Sequence, residues 1–245
     1  EGAGHYPLFQ YKTGDIRDIR SIAPFLNEQI SDIIFCPTPD KSTEEDYRET
    51  YFTPLKHLCE LLNQKQLSPK VSFISSTSVY GQQQGEIVDE ESSTSPTGFN
   101  GIWLLRCEEL IRQSNLPHFI FRLSGIYGAH RRRLLNQLIE KNFSVPNQLT
   151  NRVHIEDAAR AISFLLTASN VNDSLYCITD CEPATKLAIA QWLHANNSLE
   201  INKSDGHQLP TGKAISNARL QNTGFTFTYP SFKEGYAAIL NIRNQ

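Results

Sequence analysis

Four hydroxyls in a row, Ser75, Ser76, Thr77 and Ser78, follow the apolar residues Val71, Phe73 and Ile74 and stand just before Tyr80 and Gly81. A buried strand that ends in such a set delivers hydroxyls, which both donate and accept hydrogen bonds, to the carboxyl edge of a parallel sheet, where ligands sit. A second group with ligand-binding chemistry lies downstream: Arg122, Ser124, the triplet Arg131, Arg132 and Arg133, and His154. Cations at a helix amino end are mildly unfavourable, so the triplet, which opens a helix ending near Lys141, fits either an anionic ligand or a solvated basic turn. His154 could bind or brace, and no second His or Cys has ligand spacing to it, so no metal is expected.

These side chains need strands that end at a common edge. Short apolar runs at Phe9–Thr13, Ser31–Cys36, Val71–Ile74, His118–Leu123 and Ser174–Thr179 read as such strands. They alternate with helical patterns, from Thr43 through Leu62, from Gly98 to Ser114, and from Glu156 onward. Thr43 precedes three acidic residues suited to a helix's positive end, and Tyr51, Leu55, Leu58 and Leu62 share one face. That alternation predicts an α/β fold with a parallel sheet, whose ligands sit at the carboxyl edge. Gln82 to Pro96, with Asp89, Glu90 and Glu91, is expected to be a solvated acidic loop. Asp157 and Asn217 are expected to cap helices, and Ser231 with Glu234 to form a capping box.

Taken together, the Ser76 to Gly81 stretch, Gly14-Asp15-Ile16-Arg17-Asp18, Arg122 through Tyr127-Gly128, His154 through Asp157, and Asp180 through Thr185 resemble the extended short-chain dehydrogenase/reductases, the NAD-dependent epimerase/dehydratase family. The resemblance implies a Rossmann doubly wound parallel sheet with a small C-terminal substrate lobe. Residues 1–128 and 152–180 would form the NAD(P)-binding domain, and 129–151 and 181–245 the lobe. It implies that Asp15 and Ile16 flank the adenine, although an Asp in a Gly turn is equally a helix cap. Pro37 and Thr38 stand at the turn near the cofactor diphosphate, with Ser75, Arg122 and Ser124 further cofactor contacts. Ser76 would bind the reacting oxygen. Thr77, Arg131, Arg132 and His154 would face the substrate, and Lys213 to Asn217 would border the pocket.

One part of the pattern is missing. The family's Tyr-x-x-x-Lys pair falls on Asn100 and Leu104 or, shifted by one, on Phe99 and Trp103, and neither register supplies an ionisable pair. The resemblance is thus to the atypical branch, with Tyr80 and Tyr127 the nearest phenols that could serve instead. No G-x-x-G-x-x-G occurs in the 245 residues, and there is no methionine, even at position 1. A first strand and glycine-rich loop are expected ahead of Glu1; dropped methionines are the other explanation of that lack.

The formal charge of −3 gives no basic field for nucleic acid. No apolar run reaches the length of a membrane span. Five cysteines without CxxC spacing suggest reduced thiols in a cytoplasmic protein. Two functions stay open: an NAD- or NADP-dependent epimerase/dehydratase-like enzyme acting on a small polar substrate such as a nucleotide sugar, or a non-catalytic dinucleotide or metabolite sensor. In the family the helices flanking Gly98–Ser114 pair as dimer bundles, which would make a homodimer.

Overall fold

The computed structural model describes residues 10–139, 145–169, 171–197 and 209–241. In chain order its strands are β1 (Asp32–Phe35), β2 (Lys70–Ser76), β3 (Gln84–Val88), β4 (His118–Leu123), β5 (Gly125–Tyr127), β6 (Leu149–Thr150), β7 (Arg152–His154), β8 (Leu175–Ile178), β9 (Ala184–Thr185) and β10 (Gly212–Ile215). The helices are α1 (Ile19–Ile22), α2 (Glu44–Tyr47), α3 (Thr53–Gln64), α4 (Phe99–Gln113), α5 (Arg133–Ile139), α6 (Ile155–Thr167), α7 (Lys186–Asn197), α8 (Ala218–Asn222) and α9 (Phe232–Leu240).

Strands β1, β2, β4 and β8 form one parallel sheet in that order. Because side chains alternate along a strand, β2, β4 and β8 each feed two cores. Val71, Phe73, Ile120 and Cys177 join Leu55, Leu58 and Leu62 of α3 and Leu104, Cys107 and Ile111 of α4. Phe119, Phe121, Leu123, Tyr176 and Ile178 meet Ala158, Ala161 and Leu165 of α6 on the other side. Helices therefore cover both faces, as parallel sheets require. Each fully buried leucine contributes about 1.5–3 kcal/mol of transfer free energy. A third core gathers Leu134, Leu135 and Leu138 of α5, Ile189 and Leu193 of α7, and Phe232 and Tyr236 of α9, with Tyr127.

Several expectations need correction. Gln10 to Thr13 has no regular structure, while Phe9 and Lys141 lie outside the described residues. The helix from Thr43 is capped by that threonine but interrupted by a π turn at Arg48–Phe52 before α3 begins. The acidic stretch is not all loop: β3 pairs in parallel with β10, more than a hundred residues on. Gly85, at φ +84°, takes the left-handed conformation where the register skips from Gln84 to Glu86, a bulge that glycine permits without strain. Glu90 is buried, accepting from the Cys177 amide at 2.6 Å, and burial pushes its carboxyl up while that bond opposes the shift.

Two presumed caps are latches. Asp157 is buried and accepts from the Thr228 and Tyr229 amides at 3.0 and 2.7 Å and from Arg160 at 2.6 Å, while His154 caps α6. Asn217 donates to the Thr179 and Asp180 carbonyls at 3.0 and 3.1 Å, fastening the chain after β10 to the end of β8. The Ser231–Glu234 capping box forms as expected.

Candidate active site

The parallel sheet ends on one edge in Cys36-Pro37-Thr38 after β1, Ser76-Thr77 at the end of β2, Ser124 after β4 and Thr179-Asp180 after β8. Beside the end of β1 opens a cavity of about 560 Å³. Asp15, Ile16, Pro37 and Thr38 all line it, with Thr50 from the π turn among them. Arg17 grips the Asp15 carboxylate through its amide at 3.0 Å and two guanidinium nitrogens at 3.1 Å, which holds that carboxyl below its usual range. Asp18, not Asp15, caps α1. The thiol of Cys36 on the same rim is pushed up by burial, and the charge of Arg131 opposes that shift. Arg131 and Arg132 are exposed just before α5.

Ser75 and Arg122 lie elsewhere. Paired across β2 and β4, they face α4 and meet the fully buried Glu108. Ser75 donates to Glu108 at 2.7 Å, and Arg122 adds two bonds at 2.9 and 2.6 Å. The third nitrogen of Arg122 donates to the Tyr80 hydroxyl at 2.7 Å. Tyr80 in turn donates to the Asp89 carbonyl at 2.6 Å and lies 3.2 Å from the Cys177 sulfur. Burial pushes that phenol far above its ordinary value. Tyr80 thus ties β2, β4, β8 and the acidic segment together, an arrangement that opposes proton donation to a ligand.

Tyr127 is also buried, its hydroxyl 3.4 Å from the Ser231 carbonyl and its ring against Tyr236 and His154. Burial raises its pKa as well. His154 accepts weakly from the Glu156 amide at 3.4 Å, and its ring lies tilted against Tyr229 with centroids 3.9 Å apart. Burial keeps its imidazole below the usual value, with Glu156 and Asp157 opposing.

Ser76 has a different environment. Its half-buried oxygen accepts from the Ser78 amide at 3.1 Å, opening the short helical turn that contains Thr77. The accepted bond leaves the hydroxyl proton free to donate. Gly101 lets α4 approach this turn: a Cβ there would stand 2.3 Å from the Ser78 carbonyl. Lys213 of β10 donates to the Tyr80 carbonyl at 2.7 Å, and burial holds its ammonium below its usual range.

A model of the NAD dependent epimerase/dehydratase family matches residues 5–178, well over half of the chain. The chain belongs to that family. It is 31% identical over 176 residues to protein YeeZ of Escherichia coli K12, an alignment covering 66% of this chain and 59% of that protein. The chain thus spans about three fifths of that curated relative. A Methylobacillus flagellatus structure assigned as an NAD-dependent epimerase/dehydratase is 28% identical, with a TM-score of 0.79 over 93% of this chain and 82% of that one. The UDP-glucuronic acid 4-epimerase of Bacillus cereus, solved with NAD, shares the fold at 20% identity and a TM-score of 0.75, over 93% of this chain and 79% of its own.

In this family member the two registers of the expected Tyr-Lys pair hold Asn100, half-buried in the first turn of α4, and Leu104 in the core, or Phe99 and Trp103. Trp103 donates to Glu44 at 3.2 Å. Sequence reasoning missed Glu108, although the signal was there: it falls with Gly101, Leu104 and Ile111 on the buried stripe of α4. It also read Asp180 only as scaffold. That carboxyl is buried at the end of β8, and desolvation pushes it up to about 8. Among the described residues no group of His, Cys, Asp and Glu could hold a metal ion, and no helix is long and apolar enough to cross a membrane.

Proposed function

We propose that the chain binds NAD or NADP in the cavity at the end of β1 and a small polar substrate, such as a nucleotide sugar, along the neighbouring sheet edge. The observation carrying this reading is the convergence of Asp15, Ile16, Pro37 and Thr38 on one cavity at the carboxyl end of a parallel strand. Asp15 and Ile16 would hold the adenine side, and the backbone at Pro37 and Thr38 the diphosphate side. When bound, the cofactor would supply hydride chemistry. Ser76 would donate to the substrate oxygen. Arg131 and Arg132 would attract an anionic part of the ligand. The third core, built on α5, α7 and α9, supports a substrate lobe of residues 129–151 and 181–245 beside a domain of 1–128 and 152–180.

A second reading, a dinucleotide or metabolite sensor, draws on the commitment of Tyr80 and Tyr127 to buried contacts and on Asn100 and Leu104, or Phe99 and Trp103, standing where the family's Tyr-Lys pair is expected. A homodimer through α3 and α4 fits a groove of about 600 Å³ between them that carries both signs of charge, Lys56 and Arg106 with Glu60 and Glu109. The protein would act in the cytoplasm.

Titration with NADH and NADPH, followed by nicotinamide fluorescence, tests the cofactor site. Saturable binding that Thr38→Arg weakens at least tenfold is expected; binding unaffected by that substitution would place the dinucleotide elsewhere. Incubation with UDP-glucose and UDP-glucuronic acid, reading the cofactor's redox state, separates enzyme from sensor.

A further inference from the structure

A cavity of about 720 Å³ lies between α4 and the acidic segment that follows β3. It shares no lining residue with the cavity at Asp15, Ile16, Pro37 and Thr38. Residues three and four apart stack on one helix face, so Ile102, Leu105, Glu109 and Arg112 of α4 form one wall. Thr94 and Pro96 line the cavity from the segment, and Arg122 of β4 and Leu175 of β8 from the sheet.

The two ends of that wall differ in chemistry. Pro96, Leu105 and Ile102 are apolar, and Ile102 is exposed to water. Arg112 stands about 15 Å further along the helix axis from Ile102. It shares the Glu108 carboxylate with Arg122, which bonds it at 2.9 and 2.6 Å and gives its third nitrogen to Tyr80. Arg112 spends one terminal nitrogen on Glu108 at 3.2 Å, and its Nε and other terminal nitrogen bond no described residue. Arg106 stacks on the Trp103 ring at 4.4 Å and makes no ion pair among the described residues. The acids on the cavity have other partners: Glu109 accepts from Gln113 at 2.5 Å, and Glu90 from the Cys177 amide at 2.6 Å, with Arg219 at 3.8 Å.

An arginine offers donors only, so whatever meets Arg112 must accept. A carboxylate or phosphate does so through two parallel, charge-assisted bonds, whereas a cation is repelled. We propose that this cavity binds an organic anion with an apolar body, its carboxylate or phosphate on Arg112 and its body against Leu105, Ile102 and Pro96. The site is separate from the proposed cofactor and substrate edge and stands whether or not that reading holds. Arg106 and Glu109 also line the groove between α3 and α4, so a second copy of the chain is the competing occupant.

The test titrates octanoate and octyl phosphate into the full chain and follows the amide resonances of residues 90–112. Octanol lacks the charge, and acetate and inorganic phosphate lack the body. Expected is saturable movement at Thr94, Leu105 and Arg112 with a charged probe, the tighter of the two telling carboxylate from phosphate. Octanol, acetate and inorganic phosphate should each bind roughly tenfold more weakly or worse. Arg112→Gln should weaken the tighter probe about tenfold, and Ile102→Ser, at an exposed position that keeps the test open if the first variant fails to fold, roughly threefold. A chain that neither charged probe moves overturns the proposal, as does octanol binding as tightly as octanoate, or acetate or inorganic phosphate as tightly as its octyl counterpart. Displacement of the probe by NADH, with movement at Asp15 to Thr38, puts the anion in the other cavity and overturns it too. So does an Arg112→Gln chain that binds the probe unchanged but shifts between monomer and dimer in sedimentation, which assigns the cavity to an interface between copies.

Discussion

Two acid–arginine pairs, one between the sheet and α4 and one at the ends of β7 and β8, are built in opposite ways. Glu108 and Arg122 make a two-pronged bond, and Ser75, Tyr80 and Arg112 satisfy much of what remains. Asp180 and Arg152 are joined by a backbone bond of 2.6 Å but make no ion pair, and no side chain bonds the Asp180 carboxyl. Both have the raw material of an ion pair, and only one has closed. The closed pair fixes β2, β4 and α4 in register. The open pair leaves a buried acid without a charged partner, so its protonation and not an ion pair sets its energy.

The strongest way to break this comparison is to remove the arginine from each pair. Arg122→Ala leaves Glu108 buried without its main partner and should cost about 3–5 kcal/mol of stability. Arg152→Ala should cost about 1 kcal/mol or less, because no bond to its Nε is lost. Urea unfolding of the two variants checks this, and equal losses would erase the distinction.

A pH series sharpens it. Asp180 titrates at about 8 in the folded chain and near 3.8 when free, so the folded state holds the extra proton between those values. Below that window Asp180 leaves stability unchanged. As pH rises through it, the unfolded chain ionises first, and stability declines until the folded carboxyl also ionises. Asp180→Asn should remove on the order of 1–3 kcal/mol of that decline, read from unfolding midpoints between acid and mildly alkaline pH.

The smallest expected effect compares two serines. Ser75→Ala deletes a donor to Glu108 and should cost about 1 kcal/mol. Ser124→Ala deletes a hydroxyl with no partner and should change stability by less than about 0.5 kcal/mol. Calorimetric melting resolves the two.

Much of the scaffold was legible because its signals are local. His118–Leu123 forms the expected strand, Gly98 and Ser114 bound α4, and Ser231 with Glu234 builds the capping box. Asp15, Ile16, Pro37 and Thr38 were grouped by the resemblance to the epimerase/dehydratase family, and all four line one cavity. What escaped depends on residues distant in sequence. Glu90 looked like part of a solvated loop because its partner, the Cys177 amide, lies 87 residues away. Asp157 looked like a cap because the amides it accepts from are 71 and 72 residues on. Tyr80 stood at a catalytic-looking position, and only packing revealed that its hydroxyl was already engaged.

The pairing of β3 with β10 also has a consequence in time. During synthesis β3 emerges well before β10, and at ordinary translation rates the interval is on the order of ten seconds. Throughout it the acidic segment lacks Lys213 and Arg219, whose side chains later bond Tyr80 and Glu91. The nascent sheet must therefore persist with one margin uncovered, and a ribosome stalled before Gly212 would hold a chain whose catalytic-looking edge is assembled but not yet fastened.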